Sequence, residues 1–211
     1  MSRVTCQISM SLDGFVAGPD QSPDEPLGVG GERLHEWAFA LESWNEQHGR
    51  TGGERNADND VIEELTRDVG AYVMGRRMFG GGEGAWNPDW KGWWGETPPF
   101  HAPVFVLTHH PREPLEMDGG TTFTFVTEGI GAALEAARAA AGEQEVAIAG
   151  GASAIQQYLA AGAIDELYLH IVPTLLGAGE RLLENVGDLR LEPIDVVASP
   201  VVTHVKYRVL H

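Results

Sequence analysis

The sequence predicts an α/β domain built on a mainly parallel sheet, and three short apolar segments carry this prediction. Residues 73–74, 104–107 and 146–149 are apolar without the polar alternation of a half-exposed strand. Strands that are apolar on both faces are typical of a parallel sheet covered by helices. A chain of 211 residues is long enough for one such domain and short for two, so we expect a single domain over residues 1–211.

Hydrophobic spacing and turn residues predict the other elements. Residues 4–12 form a first strand that ends at the turn Asp13-Gly14. Apolar side chains recur at helical spacing in residues 32–46, which predicts one amphipathic helix, and Asp60 is a candidate N-cap for a short helix after it. The remaining predictions are strands at residues 122–126, 167–172 and 201–210 and helices at residues 130–141 and 152–161, while residues 15–17 re-enter the protein before a loop.

Composition excludes several classes of function. The chain has 14 basic and 31 acidic residues and a formal charge of −17, which disfavours nucleic acids and anionic membranes as partners. Cys6 is the only cysteine, so no disulfide framework or thiolate metal site is expected. The sequence shows neither a signal peptide nor an apolar stretch of transmembrane length, and we expect a soluble, cytoplasmic protein.

Hydrolase and metal motifs are missing as well. The eight histidines follow no metal-ligand spacing, and we expect no metal site. The sequence also lacks the G-x-S-x-G elbow that would indicate a serine hydrolase.

Three motifs at the ends of the buried strands predict a binding site. They are Met74-Gly75-Arg76-Arg77, residues 106–112 and residues 149–153. The carboxyl ends of parallel strands share one edge of the sheet, where open α/β folds bind ligands. Arginines and a His109-His110 pair follow the first two strands, and Gly150-Gly151 leads into a helix after the third. Such groups suit a diphosphate and an extra phosphate, as in a phosphorylated dinucleotide.

The segment of residues 80–103 is unusually aromatic. It holds four of the six tryptophans among glycines and prolines: Trp86, Trp90, Trp93 and Trp94. One interpretation is a satellite hydrophobic cluster under a long loop. The other is a wall or lid over a planar substrate, and the sequence does not decide between them.

The order and spacing of the motifs resemble the dihydrofolate reductase-like superfamily. More narrowly, the chain is similar to stand-alone relatives of the reductase half of the bacterial riboflavin-biosynthesis deaminase-reductase. The motifs that carry the resemblance are residues 8–17, 74–79, 106–108, 149–152 and 165–177. The resemblance implies a three-layer fold with a mixed, mostly parallel sheet, helices on both faces and an antiparallel C-terminal strand. It also implies NADPH as cofactor and a homodimer.

The resemblance further implies which residues meet the cofactor. They form three groups: Gly75, Arg76 and Arg77 with Gly150, Gly151, Ala152 and Ser153 at the phosphates; Thr108 and His109 at the adenosine ribose and its 2′-phosphate; and Ser9, Val16 and Ala17 at the nicotinamide. His110 is a further candidate for the 2′-phosphate from its side chain and its place beside His109.

The sequence departs from these relatives in its candidate acids. The Asp-Asp-Pro stretch with which riboflavin reductases read a ribose phosphate is absent after Gly75, where the tryptophan-rich segment stands. Dihydrofolate reductases carry a buried carboxylate on the first helix, for which Glu36 and Glu42 are possible counterparts without clear registration. Asp13 belongs to a shared turn, where turn formation is favoured over substrate contact. The proton donor stays unassigned, with Asp13 and Glu36 as candidates.

The function expected from these features is an NADPH-dependent reductase. It would transfer a hydride to a C=N or C=O bond of a planar heterocycle of the pyrimidine or pterin type, bound near Asp13 and the tryptophans. Two alternatives stay open: dihydrofolate reductase activity, and an NADP-binding protein without turnover.

Overall fold

A computed structural model describes residues 2–22 and 24–210. The strands are β1 (Val4–Ser11), β2 (Phe15–Ala17), β3 (Val69–Gly75), β4 (Pro103–Leu107), β5 (Leu115–Glu116), β6 (Thr122–Val126), β7 (Glu145–Gly150), β8 (Glu166–Val172), β9 (Glu180–Arg181), β10 (Arg190–Ala198) and β11 (Thr203–Leu210). The helices are α1 (Glu36–Phe39), α2 (Glu42–Gln47), α3 (Ala57–Arg67), α4 (Arg76–Phe79), α5 (Ile130–Ala141) and α6 (Ala152–Ala160).

Nine of these strands form one mixed sheet in the order β10-β11-β8-β1-β7-β3-β4-β6-β5. The six central strands from β8 to β6 run parallel, and β11 pairs antiparallel with β8. The expected α/β fold with a mostly parallel sheet and an antiparallel C-terminal strand is therefore confirmed. Strands β2 and β9 form a separate antiparallel pair beside the carboxyl ends of the parallel strands.

The two faces of the sheet are covered differently. Helices α5 and α6 cover the first face, where Val73 and Ile148 belong to the main core. The second face has two covers: the segment from the 3₁₀ turn Gly31–Leu34 to α3 packs over β8 and β11, and the tryptophan-rich segment packs over β3, β4 and β6. Between these two covers and beyond Glu145, β7 presents the small side chains of Ala147 and Ala149 on the second face.

The prediction of one continuous helix at residues 32–46 is wrong. The segment is broken into the 3₁₀ turn, α1 and α2, because Leu41 is extended (φ −72°, ψ 146°) and forms a bridge with Glu54. The apolar side chains of Leu34, Trp37 and Leu41 are nevertheless all buried. Successive short turns can satisfy the same hydrophobic spacing as one helix.

Two further boundaries differ from prediction. Helix α3 begins at Ala57, where the Asn56 side chain accepts a hydrogen bond from Asn59 N–H at 3.0 Å, so Asp60 is not its N-cap. Strand β10 was not predicted, because it is an edge strand with exposed side chains on both faces and contains Pro193. No helix among residues 2–22 and 24–210 is long and apolar enough to cross a bilayer.

Candidate functional site

The sheet opens between β1 and β7 at its carboxyl edge. Strand β1 pairs with β8 along its length from Thr5 to Ser11. In the described part of the chain its register with β7 covers only Val4, Thr5 and Cys6. Beyond that point β7 pairs with β3 alone, up to Gly150. The separation leaves a gap between the ends of two central strands.

Ser9 turns its backbone toward this gap. Val146 N–H donates to Arg3 C=O on the β7 side of β1 at 2.9 Å, whereas Leu12 N–H donates to Thr174 C=O on the β8 side at 3.0 Å. Backbone groups of successive strand residues point to opposite neighbours, so the odd-numbered residues of β1 face β7. The N–H and C=O of Ser9 therefore point into the opening as an adjacent donor and acceptor.

The predicted glycine motif lies at the end of β7 beside the predicted arginine motif. A Cβ added to Gly75 would lie 3.7 Å from both Gly150 O and Gly151 N, which places the two strand ends in contact. A cis peptide bond joins Gly150 and Gly151, and the left-handed φ of 138° belongs to Gly150. Gly151 has φ −76° and precedes α6. A Cβ on Gly151 would meet no atom within 4 Å, so its outer side is open.

Arg76 and His110 come together through Trp86. The Arg76 guanidinium stacks 3.8 Å from the centroid of the Trp86 ring. Trp86 Nε1 donates to His110 C=O at 2.7 Å. Arg112 approaches the same indole at 5.3 Å and donates to Trp90 C=O at 2.6 Å. Two predicted strand ends thus share one cluster of two guanidinium groups around an aromatic ring.

In each of the two guanidinium groups of this cluster, one nitrogen has no hydrogen-bond acceptor among the described residues. Arg76 Nη2 and Arg112 Nη1 are buried and have no hydrogen-bond partner among the described residues. Burial lowers the pKa of both groups, and the nearby charge of Arg76 lowers the pKa of Arg112 further. An anion bound here would supply the missing acceptors and relieve the repulsion.

Arg77 points to a different part of the edge. Its Nη1 lies 3.1 Å from Glu180 Oε1, and both side chains are exposed. Glu180 pairs with Ala17 in the β2–β9 ladder, where Val16 and Ala17 are buried. Arg77 therefore reaches the corner that is expected to border the nicotinamide, away from the Arg76–Arg112 cluster.

The turn after β4 is held by its own threonine. Thr108 is buried, and its hydroxyl accepts a hydrogen bond from His110 N–H at 3.1 Å. His109 and His110 are exposed at the tip of this turn. Ser153 is likewise exposed in the first turn of α6, and Ala152 is buried beneath it.

The two candidate acids occupy different surroundings. The Asp13 carboxylate accepts hydrogen bonds from Leu176 N–H at 3.1 Å and from Gly177 N–H at 2.7 Å. A hydrogen bond from Ser11, together with these N–H groups, lowers the pKa of Asp13 to about 2. An acid of that strength holds no proton at neutral pH, which fits an anchor for the following loop. Glu36 is exposed in the first turn of α1.

The tryptophans of residues 80–103 pack on the second face. Trp86, Trp90 and Trp94 contact a cluster that contains Phe79 and Phe123, and Trp90 Nε1 donates to Phe79 C=O at 3.2 Å. Trp93 lies outside this layer, edge-on to Trp90 at 4.6 Å between ring centroids. The cluster interpretation accounts for the three inner side chains, and a lid role stays a prediction.

The sequence did not predict a buried chain of polar side chains that crosses β11 and β8 to reach β1. Asp58, His204 and His170 are linked in this order, and His170 also lies beside Gln7. The only available signal was the period of two in the last strands, which places His170 and His204 on one face. Their partner Asp58 comes from a distant helix that no local pattern connects to them.

The comparisons with known proteins place this geometry in a family. Residues 2–205 match the family of the RibD C-terminal domain. No curated protein matches the chain significantly by sequence. A crystal structure from Shewanella sp. PV-4, described as a riboflavin biosynthesis protein, has 23% identity, a TM-score of 0.62 and 99% coverage of both chains.

Two further solved structures share the fold at lower identity. The riboflavin biosynthesis reductase of Saccharomyces cerevisiae has 13% identity and a TM-score of 0.54, over 100% of this chain and 89% of its own. Dihydrofolate reductase from Enterococcus faecalis, solved with NADP(H), has 14% identity and a TM-score of 0.51, over 98% and 96% of the two chains. With a dihydrofolate reductase-like fold and a family match over nearly its whole length, the chain belongs to the RibD C-terminal domain family.

Proposed function

We propose that this protein is an NADPH-dependent reductase of a planar nitrogen heterocycle, of the kind represented by 5-amino-6-(5-phosphoribosylamino)uracil. Membership in the RibD C-terminal domain family supports an oxidoreductase connected with riboflavin synthesis. The observation that carries the proposal is the opening between β1 and β7. The N–H and C=O of Ser9 at this opening suit an amide, and the glycines and arginines at the neighbouring strand ends suit phosphates.

The opening suits the nicotinamide end of the cofactor. The carboxamide of nicotinamide carries one acceptor and one donor group side by side, as a peptide group does. The N–H and C=O of Ser9, which point into the opening, match these two groups. The neighbouring β7 ends in Ala149 and Gly150, so β7 itself places no bulky side chain at the end of the opening.

The end of β7 suits the diphosphate. Gly151 lies before α6, a helix of nine residues, and the first N–H groups of a helix attract anions. The open space at Gly151 and the close packing of Gly75 against the glycine pair let a ligand approach the backbone. The exposed hydroxyl of Ser153 adds a further donor in the first turn of α6.

The Arg76–Arg112 cluster suits an additional phosphate. Each guanidinium has a buried nitrogen without a partner among the described residues, and burial lowers the pKa of each. His109 and His110 stand exposed on the adjoining turn. A 2′-phosphate on the adenosine ribose would satisfy these donors, which is the basis for preferring NADPH over NADH.

The heterocycle is expected on the second face, between its two covers. The bound cofactor would supply the hydride, and the chain would supply orientation and exclusion of water. The small, partly exposed side chain of Ala149 leaves room for a flat ring beside β1. Asp13 is committed to the backbone of the following loop, so we do not place a proton transfer on it.

Calorimetric titration with NADPH and NADH, followed by a screen of heterocycles for NADPH oxidation, tests the proposal. We expect clear binding of NADPH, weaker binding of NADH, and oxidation with a pyrimidine of the riboflavin pathway. Oxidation with dihydrofolate alone would favour dihydrofolate reductase activity. Binding without oxidation of any heterocycle would favour the non-catalytic alternative, and the absence of NADPH binding would overturn the proposal.

A further inference from the structure

The buried polar chain reaches β1 from the β8 side, where His170 is the register partner of Ser9, opposite to the proposed nicotinamide position. His204 Nε2 is 3.1 Å from Asp58 Oδ1, and the Nδ1 atoms of His204 and His170 are 2.7 Å apart. Gln7 Oε1 lies 3.4 Å from His170 Nε2. Asp58, His170 and His204 are each less than 5% exposed. The chain crosses from α3 over β11 and β8 to β1.

With both histidines neutral, the protons of this chain have one consistent arrangement, in which the Gln7 side-chain amide is turned so that its NH₂ group, in place of Oε1, faces His170. If Asp58 accepts from His204 Nε2–H, then His204 Nδ1 must accept from His170 Nδ1–H, and His170 Nε2 is left to accept from the Gln7 amide. Burial lowers the pKa of His170 to about 3 and also lowers the pKa of His204, which agrees with two neutral rings. Every donor then points toward Asp58, so both ring orientations are fixed.

Trp37 packs on these two fixed rings. Its indole centroid lies 5.2 Å from the His170 ring and 5.0 Å from the His204 ring. Trp37 Nε1 donates to two acceptors, Leu34 C=O at 3.0 Å and Ser9 Oγ at 3.2 Å. The indole is buried, so its contacts with the imidazoles and the two acceptors determine its position.

The Ser9 hydroxyl consequently has a free proton. Its oxygen accepts from Trp37, and no described residue accepts a hydrogen bond from it. On the β8 side its register partner is His170, whose two ring nitrogens already have partners. The hydroxyl proton is therefore available to a ligand group bound beside Ser9.

We propose that Trp37, held by the Asp58–His204–His170 chain, is a positioning residue that aims the Ser9 hydroxyl at the C=N or C=O group to be reduced. This inference rests on the proposed function. Ser9 would be the catalytic group, because its hydroxyl donates a hydrogen bond to the atom on which negative charge develops during hydride transfer. Its backbone would meanwhile hold the nicotinamide carboxamide. The same residue would then align both reactants.

The first test uses the protein without ligand. In uniformly ¹⁵N-labelled protein, the indole N–H resonance of Trp37 is assigned by its loss in Trp37→Phe. We expect slow exchange of this proton with water, and a shift of the resonance in both Ser9→Ala and His170→Gln. A resonance unmoved by Ser9→Ala would overturn the proposed link, whether or not the protein turns out to be a reductase.

The second test measures hydride transfer in a single turnover at saturating NADPH. Ser9→Ala and Trp37→Phe should each slow the transfer about tenfold, the value of one ordinary hydrogen bond. The double variant should be no slower than either single one, because both changes remove the same interaction. Asp58→Asn should also slow the transfer, and in Trp37→Phe the affinity for NADPH should stay within about twofold.

Trp44→Phe is the matched control. Trp44 lies in the same segment but stacks on His48 at 4.4 Å, outside the buried chain. Its substitution should leave the hydride-transfer rate unchanged. Equal slowing by Trp44→Phe, or multiplied losses in the Ser9–Trp37 double variant, would overturn the positioning role. Thermal midpoints identify a variant that fails to fold. In that case the Trp37 indole resonance in Ser9→Ala decides whether the hydrogen bond between Trp37 and Ser9 exists. Loss of NADPH binding in the unmodified protein would instead refute the proposed function.

Discussion

At the scale of single residues, adjacent residues of the same type at the carboxyl edge of the sheet have different surroundings. Arg76 stacks on Trp86 and keeps an unpartnered nitrogen, whereas Arg77 turns to Glu180 on β9. Gly150 has the left-handed backbone, whereas Gly151 has the open outer side. These differences allow matched substitutions in adjacent residues.

Arg76→Leu should lower the affinity for NADPH roughly 10- to 100-fold and leave NADH binding nearly unchanged, because hydrogen bonds to charged groups are worth about 1.5–3 kcal/mol. Arg77→Leu should weaken both cofactors alike, since its side chain reaches the Ala17 corner through Glu180. Calorimetry gives the ratio of the two affinities for each variant. If the ratio of NADPH to NADH affinity changed in Arg77→Leu and not in Arg76→Leu, the placement of the 2′-phosphate would be contradicted.

Gly151→Val should reduce the affinity for NADPH by at least about tenfold without lowering the thermal midpoint. The new side chain would enter space that is open in the protein and that we assign to the diphosphate. Gly131→Val is the control, because Gly131 also has open space around its Cβ position and lies near the start of the other long helix, α5. Undiminished affinity in Gly151→Val would remove the phosphate cradle from the proposed function.

At the scale of elements, the tryptophan-rich segment acts as a cover of the sheet in place of a helix. Trp94 stacks on Phe123, with 6.0 Å between ring centroids and an interplanar angle of 18°, and meets Phe100 edge-on at 4.9 Å. Trp93 meets Trp90 edge-on and packs against the backbone of Gly80, without joining the inner cluster. The inner and outer aromatic rings of one segment should therefore respond differently to truncation.

Trp94→Ala should lower the free energy of unfolding by about 3 kcal/mol, the low end for truncation of a large aromatic side chain. Trp93→Ala should cost clearly less stability. If the segment also covers the substrate, Trp93→Ala should weaken heterocycle binding to the NADPH-loaded protein. Denaturant titration and fluorescence titration measure the two effects. Equal losses of stability would contradict the layered packing, and unchanged heterocycle affinity would leave the segment a structural cluster.

At the scale of the whole molecule, the buried histidines link folding to pH. His170 faces His204 from β11 and His35 from the segment before α1, and Asp58 faces His204. Burial lowers the pKa of His170 from 6.5 to about 3 and that of His35 to about 4. The unfolded chain binds protons at these groups near pH 6.5, whereas the folded protein does not. Stability should therefore fall as the pH is lowered from 6.5 toward about 3.

His170→Gln should flatten this acid dependence by about 1.4 kcal/mol per pH unit, because one neutral buried histidine contributes that slope. Denaturant titrations at pH 7, 6, 5 and 4.5 measure it. His109→Gln is the control, since His109 is exposed on the turn after β4 and should leave the slope unchanged. An unchanged slope in His170→Gln would show that its ring is not held neutral by burial.

Local patterns identified the parts of this protein whose signals are local. Helix α5 lies at residues 130–141 as predicted, because its alanine-rich run ends at a glycine cap. The buried strands and the glycine step before α6 were likewise found, since each is encoded within a few adjacent residues. The exposed edge strand β10 and the broken segment before α3 were missed or misjudged, because their conformations depend on neighbours distant in sequence.

The sequence alone determined the α/β class, the three strand-end motifs at the carboxyl edge and the absence of a cysteine framework. Only the tertiary structure decided which basic side chain stays unpartnered, where β1 separates from β7, and that Asp58 reaches His204 across 146 residues of chain. The physical reason is that periodicity records which side of an element is buried. It holds no information about which distant polar group will complete a hydrogen bond.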